Sequence, residues 1–152
     1  MAIRNIVTIG DDVLTKKCRA VEKFDERLDA LVTDLFDTLY QSGGVGLAAP
    51  QVGILRRIAV IDIDEGPIEL INPQIIHTEG CQEGAEGCLS NPGKFGIVSR
   101  PNKVVVKAQD RHGEWHEYVG EGLLARAFCH ETDHLDGKMF MEYVTEWVEM
   151  EE

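Results

Sequence analysis

The sequence lacks any long apolar run. No stretch of about 18 consecutive apolar residues occurs in the chain, which argues against a transmembrane helix. The N-terminal stretch also lacks the apolar core of a secretory signal and is interrupted by Asp11 and Asp12. We therefore expect a cytoplasmic protein with a single domain that spans residues 1–152.

Positive charge is scarce. The chain has 15 Lys and Arg against 27 Asp and Glu, which gives a formal net charge of −12. Phosphate contacts need clustered Lys and Arg, so this composition argues against a nucleic-acid ligand. Cysteine is limited to four residues whose irregular spacing does not suggest a disulfide framework: Cys18, Cys81, Cys88 and Cys129. Without an export signal we expect reduced thiols, which are free to bind a metal.

Hydrophobic periodicity predicts helices near both ends of the chain and strands between them. The early helix is amphipathic, with Asp25 as its N-cap and a glycine-rich segment after it. The predicted elements are a helix over 25–40, paired strands over 56–63 and 68–76, a hairpin of 103–110 with 114–119, and a helix from Glu121 that ends before Gly137. Helices segregated from antiparallel strands define an α+β fold. We expect antiparallel sheets around the late helix.

The late helix carries the pattern His-Glu-x-x-His, as His130, Glu131 and His134. Two histidines four residues apart lie on one face of a helix and can share a metal ion. Ala127 lies on the same face, whereas the charged Arg126 lies off it. This arrangement favours a metal site over two unrelated surface histidines.

The end of the chain offers no convincing third ligand. Zinc proteases with this signature take a third ligand well beyond the second histidine, or a histidine six residues after it, where this chain has Phe140. The downstream glutamates are interpreted as a solvated acidic surface. Cys129 points about 100° away from His130 around the helix, so it is badly placed to share the metal.

Cys18 lies before the early helix in a segment with no other signal of a site. Cys81 and Cys88 therefore remain as candidates for the third ligand. We favour Cys88, because it lies in a segment whose glycines let the backbone approach a ligand closely: Gly84, Gly87 and Gly93. A buried structural thiol is the alternative for a single cysteine. A thiolate with two imidazoles leaves a fourth position open for water, as in a catalytic metal site.

Three segments together resemble the signature motifs of the peptide deformylase family. They are GVGLAAPQ (Gly44–Gln51), EGCLS (Glu86–Ser90) and HETDHL (His130–Leu135), and they follow the family's order. The opening segment and GIVSRP (Gly96–Pro101) resemble the same family, so the likeness covers nearly the whole chain. The resemblance implies an α+β metal-dependent hydrolase that removes the N-formyl group from the formyl-methionine of nascent polypeptides and releases formate.

The resemblance also implies a role for each residue of the site. It implies that Cys88, His130 and His134 bind the metal, that Glu131 is the general acid/base, that Gln51 and the backbone N–H of Leu89 form the oxyanion hole, and that Gly44, Val45 and Gly46 contact the substrate backbone. Family members usually use Fe²⁺, although this ligand set also suits Zn²⁺, Ni²⁺ or Co²⁺. Amide hydrolysis fits these roles, because a metal-bound water provides a nucleophile at neutral pH and a neighbouring carboxylate can move its proton.

The chain departs from the family pattern at three places. Residue 129 is Cys where many relatives carry Gln, and residue 132 is Thr where an apolar side chain is usual. The chain also ends in an acidic segment without a basic residue: Glu142, Glu146, Glu149, Glu151 and Glu152. Some relatives have a C-terminal helix thought to dock on the ribosome, and this acidic end puts such docking in doubt.

Two other functions compete with a deformylase. A His-Glu-x-x-His metalloprotease that cleaves within peptides would lack its downstream ligand, and it does not explain the segment Gly44–Gln51. A non-catalytic metal-binding relative of the deformylases is the second alternative. The presence of both Glu131 and Gln51 argues against it, because loss of function would remove catalytic groups first.

Overall fold

A computed structural model describes residues 2–148 of the chain. Within this range the chain forms two α-helices, three short 3₁₀ helices and eight strands. The helices are α1 (Glu26–Ser42) and α2 (Leu123–Leu135), and the 3₁₀ helices are Asp12–Thr15, Ala49–Val52 and Phe140–Tyr143. The strands are β1 (Gly46–Ala48), β2 (Ile58–Ile61), β3 (Ile68–Glu79), β4 (Gln82–Cys88), β5 (Asn91–Arg100), β6 (Lys103–Gln109), β7 (Trp115–Glu121) and β8 (Val144–Val148).

The strands form two antiparallel sheets, which confirms the α+β fold. The larger sheet has the order β1-β2-β3-β6-β7 and the smaller has the order β4-β5-β8. The predicted pairing of 56–63 with 68–76 is confirmed by β2 and β3, where Ile58 lies opposite Ile71. The predicted hairpin of 103–110 with 114–119 is confirmed by β6 and β7.

Helix α1 begins and ends close to the predicted positions. The Asp25 carboxylate accepts a hydrogen bond from the backbone N–H of Leu28 at 3.1 Å, which satisfies a free donor of the first turn. The helix ends at Gly43, whose φ of 75° is readily adopted only by glycine. Its apolar stripe packs against β1, β2 and the 3₁₀ helix 49–52, and this contact forms one of two hydrophobic clusters.

Helix α2 packs on the larger sheet and also contacts β5 of the smaller one. The second hydrophobic cluster joins its buried residues, such as Phe128 and Leu135, to the apolar side chains of β2, β3 and β6. None of the helices between residues 2 and 148 is long and apolar enough to cross a membrane. The packing of α2 places one face of the helix between the two sheets, where its histidines lie.

One sequence expectation needs correction. The sequence places Arg126 away from the buried face of the late helix, but only 6% of it is exposed, because it pairs with the buried Glu86. Gly84 and Gly87 lie on β4, and Gly87 lines the cavity beside Cys88. The space beside them is filled by the side chains of Arg126 and Phe95.

The two residues of α2 that depart from the family pattern, Cys129 and Thr132, lie in different environments. Cys129 is buried in the hydrophobic cluster of α2, on a different side of the helix from the facing histidine nitrogens. The hydroxyl of Thr132 is buried and has no hydrogen-bond partner among residues 2–148. Of the acidic end, Glu142 and Glu146 are exposed, whereas 149–152 lie outside the described residues.

Candidate metal centre and active-site cavity

Helix α2 brings the two histidines of its motif face to face. His130 and His134 are both buried, and their Nε2 atoms lie 3.2 Å apart. The four-residue spacing puts both rings over the same face, one turn apart. Burial lowers the pKa of His134 well below its usual range, so this ring is a neutral imidazole with a lone pair available to a metal.

Cys88 completes the group from the end of β4. Its Sγ lies 3.3 Å from Nε2 of His134, and the ligand atoms of Cys88, His130 and His134 all lie within 4.8 Å of one another. Cys81, the other candidate, lies beyond the opposite end of β4, where it is exposed and its Sγ lies 2.9 Å from the Ser99 hydroxyl. The structure therefore brings Cys88 and not Cys81 to the histidines.

The donor set of this group fits a divalent transition metal. Two imidazole nitrogens and a sulfur converge in a largely buried position, where facing lone pairs repel unless a proton or a cation lies between them. Thiolate and imidazole ligands suit Fe²⁺, Zn²⁺, Ni²⁺ and Co²⁺ better than Mg²⁺ or Ca²⁺. Three protein ligands also leave a coordination position for a reacting molecule.

The buried carboxylate of Glu86 contacts the His130 ring on the side away from Cys88 and His134. Nδ1 of His130 lies 2.6 Å from Oε1 of Glu86, so that Nε2 of the same ring faces Cys88 and His134. Arg100 donates to both oxygens of Glu86, at 2.8 and 3.0 Å. Burial alone would raise the pKa of Glu86, but the hydrogen bonds from His130 and Arg100 outweigh burial and hold the pKa far below its usual value.

Sequence reasoning missed the roles of Glu86, Arg100 and Arg126. The only signal was indirect, since Glu86 and Arg100 lie inside the segments that resemble the family. Buried charges need partners, and the partners come from β4, β5 and α2, which are far apart in the chain. A single sequence does not reveal which distant charges are paired.

Glu131 is buried beside the group without being one of its three converging residues. Its side chain is only 3% exposed, and its Oε1 atom has no hydrogen-bond partner within the described part of the chain. Burial raises the pKa of Glu131 to about 7. A carboxyl group that titrates near neutral pH can both accept and return a proton.

The amide of Gln51 is held in one orientation next to Cys88. Its Oε1 accepts a hydrogen bond from the backbone N–H of Ala48 at 2.9 Å, so its Nε2 is turned the other way. This nitrogen lies 3.4 Å from Sγ of Cys88 and 3.2 Å from the Ser90 hydroxyl. The backbone N–H of Leu89 directly follows Cys88 in the chain, so both predicted donors lie beside the sulfur.

A cavity of about 420 Å³ opens onto these residues. Gly44, Val45 and Gly46 line one wall, and the turn between β4 and β5 with residues of α2 lines the others. A Cβ added at Gly46 would collide with the carboxylate of Glu131, and one added at Gly44 would lie 2.9 Å from a methyl carbon of Leu89. The glycines therefore allow the chain to pass close to the site.

A second group of possible metal ligands lies at the hairpin between β6 and β7. It consists of Asp110, Glu114 and His116, two of which are exposed. His116 and Asp110 form an ordinary hydrogen-bonded pair at 2.8 Å. This group does not line the cavity described above, which opens onto His130 and Glu131.

Fold and site together fit one class of protein: an α+β metal-dependent hydrolase with a His-Glu-x-x-His helix whose histidines and a cysteine could hold a metal ion. Comparisons with known proteins agree. The family model described as polypeptide deformylase matches residues 3–149. The chain belongs to the polypeptide deformylase family. It is a metal-dependent enzyme that deformylates nascent polypeptides, and the two alternative functions are not supported.

Relatives and solved structures support the family over the whole chain. The chain is 59% identical over 147 residues to a peptide deformylase of Lachnoclostridium phytofermentans, covering 95% of this chain and 90% of that protein. It is 57% identical to one of Caldicellulosiruptor bescii, covering 100% and 92%. Crystal structures of peptide deformylases from Legionella pneumophila and Thermotoga maritima are also similar. The first has a TM-score of 0.92 at 48% identity, covering 95% of this chain and 87% of that one. The second has a TM-score of 0.93 at 40% identity, covering 95% and 99%.

Proposed function

We propose that Cys88, His130 and His134 bind the catalytic ion and that this ion is Fe²⁺. The observation that carries the ligand assignment is the convergence of their three ligand atoms within 4.8 Å, next to a cavity and a buried carboxyl group. The choice of Fe²⁺ rests on the resemblance to the deformylase family, whose members usually use it. When bound, a divalent ion acts as a Lewis acid and makes water a nucleophile at neutral pH. The proposal extends over one catalytic domain, residues 1–152.

Glu131 is the general acid/base of the proposed reaction. Its carboxylate takes a proton from the attacking water and delivers it to the amine nitrogen of methionine as the C–N bond of the formamide breaks. The products are formate and a peptide with a free N-terminus. A pKa of about 7, raised by burial, supports this role because both protonation states are populated at neutral pH.

Gln51 and Leu89 stabilise the negative charge that develops on the formyl oxygen. The amide of Gln51 is fixed by the N–H of Ala48, so its NH₂ group needs no rearrangement before the reaction. The backbone N–H of Leu89 provides the second donor. Donors already oriented toward a developing oxyanion are commonly the largest single contribution to catalysis.

Gly44, Val45 and Gly46 bind the backbone of the substrate along one wall of the cavity. The two glycines let this segment pass directly beside Leu89 and Glu131, so a peptide bound along it would lie next to the proposed general acid/base. The lining of the cavity also contains apolar side chains, including Leu123 and Phe95, which suit the methionine side chain.

The partners of the proposed enzyme are N-formyl-methionyl nascent peptides in the cytoplasm. The exposed Glu142 and Glu146, together with the acidic residues after them, disfavour docking of this end on ribosomal RNA by charge repulsion. Nucleic-acid binding by the chain alone is not part of the proposal.

The test compares Cys88→Ala with Cys81→Ala. The first variant should lose stoichiometric metal and hydrolysis of a formyl-Met dipeptide together, whereas the second, which removes an exposed thiol, should retain both. An acetyl-Met dipeptide provides the substrate control and should not be hydrolysed at a comparable rate. Stoichiometric metal in Cys88→Ala would overturn the ligand assignment, and metal analysis of protein purified without oxygen would identify the ion.

A further inference from the structure

Arg126 is a buried arginine with one acidic partner. Only 6% of it is exposed, and its Nη1 donates to Oε2 of Glu86 at 2.6 Å and to the carbonyl of Val98 at 3.0 Å. Its Nη2 has a longer contact of 3.4 Å with the amide oxygen of Gln82. Arg100 differs, because it divides its guanidinium between Glu86 and Asp133. Within residues 2–148 the guanidinium of Arg126 is therefore committed to Glu86.

Each oxygen of Glu86 is held by two donors. Oε1 accepts from Nδ1 of His130 at 2.6 Å and from Nη2 of Arg100 at 2.8 Å. Oε2 accepts from Nε of Arg100 at 3.0 Å and from Nη1 of Arg126 at 2.6 Å. Arg126 thus binds the oxygen that His130 does not use, and it prevents the carboxylate from turning away from the ring.

Arg126 contributes one of the two arginine charges that face Glu86. Glu86 pairs with Arg100 and Arg126, and Arg100 also pairs with Asp133. Removal of Arg126 would take one positive partner away from the buried carboxylate of Glu86, beside His130. A buried charge without a partner is costly, so the carboxylate would reorient or admit water.

A glycine on β4 leaves room for the Arg126 side chain. A Cβ added at Gly84, two residues before Glu86 on β4, would lie 3.1 Å from Nη2 of Arg126. Arg126 also lies one helical turn before His130, so both side chains reach the same carboxylate from α2. Both residues line the cavity.

We propose that Arg126 is a positioning residue of the deformylase centre: it fixes Glu86, so that Glu86 holds the His130 ring with Nε2 toward Cys88 and His134. The proposal rests on the proposed function, because it takes His130 as a metal ligand. Partners that orient a ligating histidine typically contribute about 10–100-fold in metal affinity when they are lost.

The experiment uses Arg126→Met, Arg126→Lys and a matched control, Arg111→Met. Arg111 is also an ion-paired arginine, bound to Glu69 and Asp29, but it takes no part in the metal centre. For each metal-free protein we would measure the melting temperature, the dissociation constant for Co²⁺ and the absorption spectrum of the Co²⁺ form. We would then measure the turnover of formyl-Met dipeptide at saturating Co²⁺.

We expect Arg126→Met to bind Co²⁺ more weakly by about 10–100-fold and to show an altered Co²⁺ spectrum, because the His130 ring is no longer held. Arg126→Lys keeps the charge and should recover part of the affinity. Arg111→Met should lower the melting temperature while its affinity and spectrum stay unchanged. Unchanged affinity and spectrum in Arg126→Met would overturn the inference.

Two further variants keep the result interpretable. If Arg126→Met does not fold, Gly84→Ala displaces the guanidinium more gently and should also weaken Co²⁺ binding, whereas wild-type affinity in Gly84→Ala would then count against the inference. His130→Ala separates the two proposals. Metal retained by His130→Ala overturns the proposed function. Metal lost by His130→Ala but bound normally by Arg126→Met overturns the role of Arg126 alone.

Discussion

Two buried glutamates of the site have opposite surroundings. Glu86 receives hydrogen bonds from His130, Arg100 and Arg126, and its pKa is held far below the usual value despite burial. Glu131 has an unpartnered Oε1 within the described residues, and burial raises its pKa to about 7. Carboxyl groups whose environments separate their pKa values often have separate roles in catalysis. Here Glu86 is hydrogen-bonded to the His130 ring, whereas Glu131 is the residue that we propose as the proton carrier.

For Glu131→Gln we expect metal binding near the wild-type level and a turnover lower by roughly 10²–10⁴-fold, the usual contribution of a general acid/base. Glutamine has nearly the same shape as glutamate but accepts no proton at neutral pH. Metal content and turnover of formyl-Met dipeptide should be measured on the same preparation. Near-normal turnover of the variant would exclude Glu131 as the proton carrier.

At the scale of elements, the sequence predicted the elements that a local residue pattern determines. It missed strands that depend on pairing with other segments. Helix α1 was predicted because its apolar stripe, its Asp25 cap and its terminal glycine all lie within one segment. Strands β4, β5 and β8 were not predicted. The segments of β4 and β5 contain two Gly each, a residue of low strand propensity, whereas β8 contains one of the glutamates interpreted as a solvated acidic surface. Gly87 accommodates the Phe95 ring across the β4–β5 pair, a fit that becomes visible only when the partner strand is known.

The cap of α1 provides a prediction about stability. Asp25→Ala should lower the free energy of unfolding by about 1 kcal/mol, because the N–H of Leu28 loses its acceptor. For a domain of this size the melting temperature should fall by about 2–4 °C. Asp25→Asn is the control, since asparagine caps equally well and should leave the melting temperature nearly unchanged. Equal losses in both variants would mean that charge and not the cap is responsible.

The close approach of β1 to α2 provides a prediction about activity. In Gly46→Ala the added methyl group would collide with the carboxylate of Glu131, so the general acid/base should be displaced. A misplacement of this size can lower turnover on the order of 10²-fold. Gly96→Ala is the control, because its Cβ would lie 2.6 Å from a methyl carbon of Val144, away from Glu131. It should reduce stability with less effect on turnover, and equal turnover losses would argue against a specific effect on Glu131.

At the scale of the whole molecule, the candidate site was predictable only where its residues lie in short motifs. His130, Glu131 and His134 lie on one helix, and elementary geometry placed them together. Cys88 was favoured over Cys81 because of the glycines around it, and the structure brings Cys88 to the histidines at the end of β4, where the chain turns back into β5. The charges that surround Glu86 come from three elements, and their mutual contacts exist only in the folded chain. The family resemblance reached further than the residue patterns because it draws on the whole chain.

The four thiols lie in different environments across the molecule. Cys18 and Cys129 are buried, and burial raises the pKa of each to about 11. Cys81 is exposed, and Cys88 lies half-buried at the metal centre. Because the thiolate is the reactive form of cysteine, Cys18 and Cys129 should react with oxidants and alkylating agents more slowly than Cys81. If Cys88 binds the metal as proposed, its oxidation should be the thiol oxidation that affects activity.

If the catalytic ion is Fe²⁺, activity should fade in air and persist in protein loaded with Ni²⁺ or Co²⁺. A thiolate beside an open coordination position exposes both a one-electron metal and an oxidisable sulfur to dioxygen, whereas Zn²⁺ has no such redox chemistry. Activity should fall in step with loss of iron or with oxidation of Cys88, and Cys129 should not be the first thiol oxidised. Protein purified with and without oxygen would be assayed over time, and its oxidised cysteines mapped by mass spectrometry. Full activity in air with zinc as the only metal would contradict the assignment of Fe²⁺, while membership of the deformylase family would stand, because the family rests on the fold and the motifs and not on the choice of ion.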